Sequence, residues 1–309
     1  MISLGARLVN AAVRLMTLRA RRRHMSLSRS VKFKEKPYSP PRGYVYSVRK
    51  FNGTDVEVLE PPRASEDCII VQFHGGGHTQ PMNSLYRKVA ERYAALSGCA
   101  VYSIDYHTGE NLVFPSVHEE CLGAYRGIAE NARGKKIIAA GDSMGVNHML
   151  YACLRLRDEG QPLPVALVSA SCYIDLAASG KSYDENCHSD PLYGLPIWQK
   201  KEKCGAFLRR KTPYAGSTDE RNCLLSPAYA DLKGLPPMLI LCGAAETSAS
   251  DSDMLYDGAV RGKVRARLIK YGGMFHDFFY FVPFIRESRA AWRETERFLA
   301  EILSPQCGA

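Results

Sequence analysis

The sequence predicts an α/β fold, a mostly parallel central sheet with helices on both faces. From residue 67 onward, short apolar runs rich in Val and Ile alternate with amphipathic stretches, as successive strand–helix units do. Residues 43–50 and 54–59 instead alternate apolar and polar about Asn52-Gly53, the pattern of an antiparallel hairpin. The 309 residues, 46% hydrophobic and 24% charged, are enough for one large core.

Strands are predicted over 67–73, 99–104, 135–140, 165–171, 237–242 and 264–270. Helical periodicity falls between them near 84–96, 116–130, 145–158 and 251–260, with a last helix near 286–303. Two stretches break the alternation. Residues 1–41 read as a helical arm closed by Pro37, Pro40 and Pro41, and 176–226 as a polar, loop-rich insertion between two strands. Together they are expected to form a helical lid over the C-terminal strand edge. Residues 42–175 and 227–309 then make the two parts of the core.

The net charge of +9 would suit nucleic acid or a membrane surface, but its location narrows the choice. Met1 to Lys34 hold nine Arg and Lys and no acid, and the other 32 basic residues balance 32 acidic ones. The body is therefore neutral, which argues against a nucleic-acid partner. Within the arm, Leu4, Leu8, Ala11, Leu15 and Leu18 recur at helical spacing, while Arg7, Arg14 and Arg21 mark another stripe. A lid helix, a peripheral membrane anchor and a transit peptide all fit this pattern, and the lid is the reading carried forward. No apolar run approaches the ~18 residues of a membrane span. The arm's charges follow its apolar stretch, the reverse of a secretory signal. Ten cysteines are scattered without CxxC or a Cys/His ladder, as in a reduced cytoplasmic protein. Cys187, Cys204 and Cys223 share the loop-rich insertion, where oxidation would allow pairing.

The chemistry centres on Gly141-Asp142-Ser143-Met144-Gly145, placed after a strand and before a helix. A serine on such a tight turn stands above the sheet, and its flanking glycines avoid clashes. The helix N-terminus behind it favours negative charge. A second motif, His74-Gly75-Gly76-Gly77, ends the strand 67–73, where glycines let backbone amides approach a ligand. Neither GxxxxGK[ST] nor GxGxxG is present, so the loop is not a nucleotide-phosphate cradle.

A serine nucleophile needs a base, and the base needs an acid to fix its tautomer. Past the helix that follows Ser143, only His188 and His276 remain, and His188 falls inside the insertion. His276 follows the last strand in Gly272-Gly273-Met274-Phe275-His276-Asp277-Phe278 and is the candidate base. The acid should follow the strand 237–242. Glu246 is the first candidate, Asp251 fits better as a first-turn helix acid, and Asp253 is more remote.

These motifs resemble the hormone-sensitive-lipase branch of the α/β-hydrolases, esterases marked by HGGG and GDSAG. The likeness runs from about residue 67 to 300 and includes Asp105-Tyr106, Phe114-Pro115, Ser189-Asp190-Pro191 and Ser226-Pro227-Ala228-Tyr229. It implies the α/β-hydrolase fold and a triad of Ser143, Glu246 and His276. An oxyanion hole from Gly76, Gly77 and the Met144 amide would follow, with His74 bracing the glycine loop. It further implies a small-molecule ester substrate with a short to medium acyl chain, and no metal or cofactor. Met144 stands where a small Ala is usual, His78 where an aromatic is, and 107–113 lacks the usual Ala-Pro-Glu. His78 is a candidate substrate contact, against the plainer reading of a solvated loop histidine. Amide or peptide hydrolysis by the same triad is the alternative activity, and a non-catalytic ligand-binding homologue the alternative of another class.

Overall fold

The structure is a computed structural model that describes residues 2–22, 37–195 and 212–304. Residues 23–36 of the expected arm, 196–211 of the expected insertion with Cys204, and Cys307 lie outside the described residues.

Eight strands form one sheet in the order β1-β2-β4-β3-β5-β6-β7-β8. The hairpin β1 (Val45–Phe51) and β2 (Thr54–Glu60) pairs antiparallel, with Phe51 opposite Thr54. Its two-residue turn puts Asn52 at φ 48° and Gly53 at φ 90°, the mirror-image turn whose twist matches the flanking strands. β2 joins β4 antiparallel, and every later pairing is parallel. The parallel strands are β3 (Cys68–Phe73), β4 (Ala100–Asp105), β5 (Lys136–Asp142), β6 (Ala166–Ala170), β7 (Met238–Gly243) and β8 (Ala266–Tyr271). Each lies within about two residues of its predicted span.

Alternation along a strand sends side chains to two separate cores. Ile69, Val71 and Phe73 of β3 enter one, with helices α3 (Ser116–Asn131) and α4 (Met144–Asp158). Cys68 and Ile70 enter the other, with α2 (Ser84–Ser97) and the C-terminal helix α8 (Arg286–Leu303). Between them in sequence come α5 (Ser182–Glu185), α6 (Ala249–Arg261) and α7 (Phe278–Phe281). α4, buried on nearly every side, is held between the sheet and α3. Of the aromatic run near the C-terminus, Phe275, Phe278, Phe279 and Tyr280 are buried, whereas Phe281 is 45% exposed.

The arm forms α1 (Leu4–Arg22). Its expected apolar stripe does not face the protein: Leu4, Leu8 and Leu15 are 71%, 63% and 55% exposed. Ala6 and Thr17 are the buried positions, Val9 and Val13 pack partly buried against the core beside them, and polar groups fasten the helix further. Ser3 Oγ donates to Glu287 Oε2 (2.7 Å), Asn10 Nδ2 to Gly273 O (2.7 Å) and Thr17 Oγ1 to Pro191 O (2.8 Å). The face that meets the core carries the smaller apolar residues Ala6, Val9 and Val13 together with these hydrogen bonds, and the leucine stripe lies outside it. Among the described residues, no helix is long and apolar enough to cross a membrane.

Trp292 locks α8 to α2 and α7. Its Nε1 donates to Phe279 O (3.1 Å), and its ring meets Tyr93 edge-on (5.4 Å) and stacks on Tyr280 (5.5 Å). Trp292→Ala leaves a cavity among these rings and should lower the free energy of unfolding by about 3–5 kcal/mol, read from urea denaturation. A loss under about 1 kcal/mol would mean that this junction contributes little.

Candidate active site

Ser143 occupies the turn from β5 to α4 at φ 50°, ψ −123°, an unfavourable conformation for a residue with a side chain. Its backbone is fixed on both sides: Ser143 N donates to Ala170 O (2.9 Å), and Ser143 O accepts from Tyr173 N (3.1 Å). The motif's glycines are steric necessities. A Cβ on Gly145 would lie 2.0 Å from Phe73 O, so α4 starts against the end of β3 only because that carbon is missing. Gly76, at φ 99°, needs the same freedom, with Gln80 Cβ 2.6 Å from where its own Cβ would be.

The glycine loop is fastened to the serine turn by Asp142, whose Oδ1 accepts from Gly75 N (3.1 Å). Burial, reinforced by the Asp277 carboxylate, raises the Asp142 carboxyl well above its usual range. His74 lies beneath the loop, stacked on Tyr106 with centroids 4.1 Å apart, and its Nδ1 meets Gly75 O at 2.8 Å. The Tyr106 hydroxyl donates to His74 O (2.7 Å) and Gly75 O (2.8 Å). Among the described residues, the amides of Gly76, Gly77 and Met144 enter no hydrogen bond. Three donors therefore stay unused on the loop and helix end next to Ser143.

Glu246 and His276 meet. Nδ1 of His276 lies 3.2 Å from Glu246 Oε2, both residues being buried. Glu246 Oε1 accepts from Ser171 Oγ (2.7 Å) and from Gly243 N. Ser171 Oγ also accepts from Asp277 N (3.0 Å), joining the loop after β7 to the loop after β8. The rival acids are engaged elsewhere. Asp251 Oδ2 accepts from Ile174 N (2.8 Å) and Asp175 N (3.0 Å), its Oδ1 from Tyr183 Oη (2.9 Å), and Asp253 pairs with Lys270.

The insertion closes over this pair. Asn186 Nδ2 donates to Glu246 O (2.8 Å), Asp190 Oδ2 accepts from Thr247 N (3.1 Å), and the Tyr193 ring meets His276 edge-on at 4.8 Å. From the other side, α1 holds Gly273 O, on the same loop as His276.

Nε2 of His276 is 3.2 Å from Asp277 Oδ2, yet it is buried without a hydrogen-bond partner, so the contact is electrostatic proximity rather than an aligned bond. Ser143 and His276 share the same strand edge without an Oγ–Nε2 hydrogen bond in this state. Such catalytic contacts commonly tighten only with substrate present. Burial opposes charge on His276, but Asp277, Glu246 and Asp190 outweigh it and push the imidazole up to about 10.

His78 is not the solvated loop residue of the plainer reading. Only 4% exposed, it stacks on Tyr214 (3.7 Å) and turns towards His118 and His148. Sequence reasoning passed over four participants, Ser171, Asp277, Asp142 and Tyr106. Two carried a visible signal, Asp277 by following His276 and Asp142 by lying inside the motif.

An imidazole acting as base must be unprotonated, so with His276 in that role the kcat/KM limb should lie above the 6.5 of a free imidazole, towards the alkaline side. Asp277→Asn removes the carboxylate facing Nε2 and should move that limb to lower pH. An unmoved limb would show that Asp277 does not control the imidazole.

A family model described as the alpha/beta hydrolase fold matches residues 70–280. An acetyl-hydrolase of Streptomyces hygroscopicus is 30% identical over 240 residues, 77% of each chain. An esterase of Acinetobacter venetianus is 26% identical, covering 78% of this chain and 77% of that one. Among solved structures, a hormone-sensitive lipase from a metagenome library superposes with TM-score 0.76 at 28% identity, covering 87% of both chains. An esterase from the bacterial hormone-sensitive lipase family gives 0.79 at 26% identity, covering 98% of this chain and 100% of that one. With its strand order, serine turn and glycine loop, the chain belongs to the α/β-hydrolase family, in the branch of the hormone-sensitive-lipase-like esterases.

Proposed function

We propose that the chain is a serine carboxylester hydrolase acting on small esters of short to medium acyl chain, with Ser143 as nucleophile, His276 as base and Glu246 as orienting acid. The observation that carries this reading is the buried contact of Glu246 with His276 Nδ1, next to a serine held on a strained turn. The names of two relatives support this, esterase favouring esters over amides and acetyl-hydrolase favouring short acyl groups.

The Ser143 Oγ–H proton passes to His276 Nε2 as Oγ attacks the ester carbonyl carbon. The carbonyl π pair moves to oxygen, and the amides of Gly76, Gly77 and Met144 receive the oxyanion. Each such donor is worth about 10²–10³ in rate. Collapse expels the alcohol, which takes the proton from His276 and leaves Ser143 acylated. Water then repeats the sequence with His276 as base and releases the acid. Glu246 holds Nδ1–H, so that Nε2 is the nitrogen that accepts, and stabilises the imidazolium between the steps. Ester cleavage asks less of this site than amide cleavage, since an alkoxide leaves more readily than an amide nitrogen.

The arm 1–41 and the insertion 176–226 act in this reading as the lid, with 42–175 and 227–309 as the core. Support comes from the arm's bonds to Gly273 O and Pro191 O and the insertion's bonds around Glu246. The exposed leucines of α1 are free to meet a membrane surface in the same arrangement.

A chromogenic ester series of rising acyl length, run with wild type and Ser143→Ala, tests the reading. Turnover should peak at short to medium chains and vanish in Ser143→Ala without loss of thermal stability. Retention of a tenth of the activity would exclude Ser143 as nucleophile. Glu246→Ala should lower kcat roughly 10³-fold or more. Asp251→Asn, whose carboxylate caps the backbone after β6, should act mainly on the melting temperature. The reverse ranking would move the acid to Asp251.

A further inference from the structure

Three histidines from separate elements converge beneath the glycine loop. His78 follows Gly77, His118 lies on α3, and His148 lies on α4 behind Ser143. All are buried, and one ring nitrogen from each falls within 4.8 Å of the other two. His148 meets His78 and His118 edge-on, with centroids 5.1 and 4.5 Å apart.

Two of the three leave ring nitrogens unpaired. Neither nitrogen of His148 has a partner among the described residues, nor does Nε2 of His78. A core filled only for shape would use Phe or Leu here, since unpaired buried nitrogens are costly. His118 reveals its tautomer. Asn147 Nδ2 donates to Leu225 O (3.1 Å), which turns Asn147 Oδ1 towards His118 Nε2 at 2.9 Å. Nε2 therefore carries the proton, and Nδ1 keeps a lone pair that now faces the Tyr214 hydroxyl at 2.8 Å. An imidazole whose N–H is held by an oxygen while its other nitrogen stays basic is the arrangement of metal-bound histidines. Burial keeps the rings in the neutral, ligating form, lowering His78 to about 3 and His118 to about 4.

We propose that His78, His118 and His148 form a binding site for a divalent transition-metal ion, and that zinc is the ion an all-imidazole set suits best. Tetrahedral zinc places ligand nitrogens about 3.3 Å apart, so the rings must close by at most roughly 1.5 Å. For His118 Nδ1 to ligate, the Tyr214 hydroxyl that now donates to it must turn aside, and water would complete the shell. The ion takes no step in ester cleavage. It ties the loop that bears Gly76 and Gly77 to α3 and α4, fixing the loop's shape relative to Ser143.

The test uses untagged full-length protein, stripped by a chelator and titrated with zinc chloride. The expected result is one zinc per chain, a raised melting temperature, and an X-ray absorption shell of nitrogen and oxygen at about 2.0–2.1 Å. His148→Phe and His78→Phe should each weaken binding at least about 100-fold. The site is refuted if wild type shows no saturable binding, or if the shell is sulfur at about 2.3 Å, which would assign the metal to cysteines. Undiminished binding in the folded variants refutes it equally. Should one variant fail to fold, the other variant and the wild-type spectrum decide.

Discussion

The start of α4 lies so close to the end of β3 that Gly145 cannot carry a side chain, its missing Cβ falling 2.0 Å from Phe73 O. This approach couples the two halves of the site. It places Ser143 beside the glycine loop that leaves β3, and it lets Asp142 hold that loop through Gly75 N. A hydrolytic site needs nucleophile and oxyanion donors positioned to a fraction of an ångström, and loops alone seldom give that precision. Here both groups hang from adjacent parallel strands, β3 and β5, whose register is set by the sheet. The strain at Ser143 is held by backbone hydrogen bonds on both sides of the residue.

The other half of the site is built around a buried carboxylate. Glu246 lies between β7 and α6, where a charge would be unfavourable without donors. Ser171 Oγ, Gly243 N and His276 Nδ1 supply them. Ser171 does double duty, donating to Glu246 and accepting from Asp277 N, so the acid and base loops share one hydroxyl. The end of β6 thereby sets the mutual position of residues contributed by β7 and β8.

Strand and helix spans were legible in the sequence because burial on two faces writes a local apolar pattern, and Asn52-Gly53 because only certain residues accept its backbone angles. Ser143, the glycine loop and His276 stood out as candidates for a related reason: glycines mark their steric surroundings. What escaped depended on long-range contacts. Nothing near Ser171 distinguishes it from any serine ending a strand until β7 and β8 lie alongside. The face of α1 was misjudged because the leucines form the more conspicuous stripe, whereas the smaller Ala6, Val9 and Val13, with hydrogen bonds from Ser3, Asn10 and Thr17, are what meet the core. His78, His118 and His148 have no readable spacing, since a loop and two helices bring them together only in the folded chain.

The buried histidines also show how one side-chain type is given opposite properties. His74 and His78 lie where no carboxylate compensates for lost water, and burial drives them to about 4 and 3. His276 is equally buried, but three carboxylates face it and the balance reverses. Burial removes solvent screening from both the penalty on the charge and the attraction of its partners, so the presence of an acid decides the outcome. The same logic bears on the reaction. An imidazole that favours its proton stabilises the imidazolium formed on serine attack, at the cost of fewer molecules with a free base at neutral pH. Asp277, against Nε2, adds to that cost, whereas Glu246, against Nδ1, also fixes the tautomer. The two acids beside His276 therefore differ by which nitrogen they face: Glu246 meets Nδ1, and Asp277 meets Nε2, the nitrogen that takes the Ser143 proton in the proposed reaction.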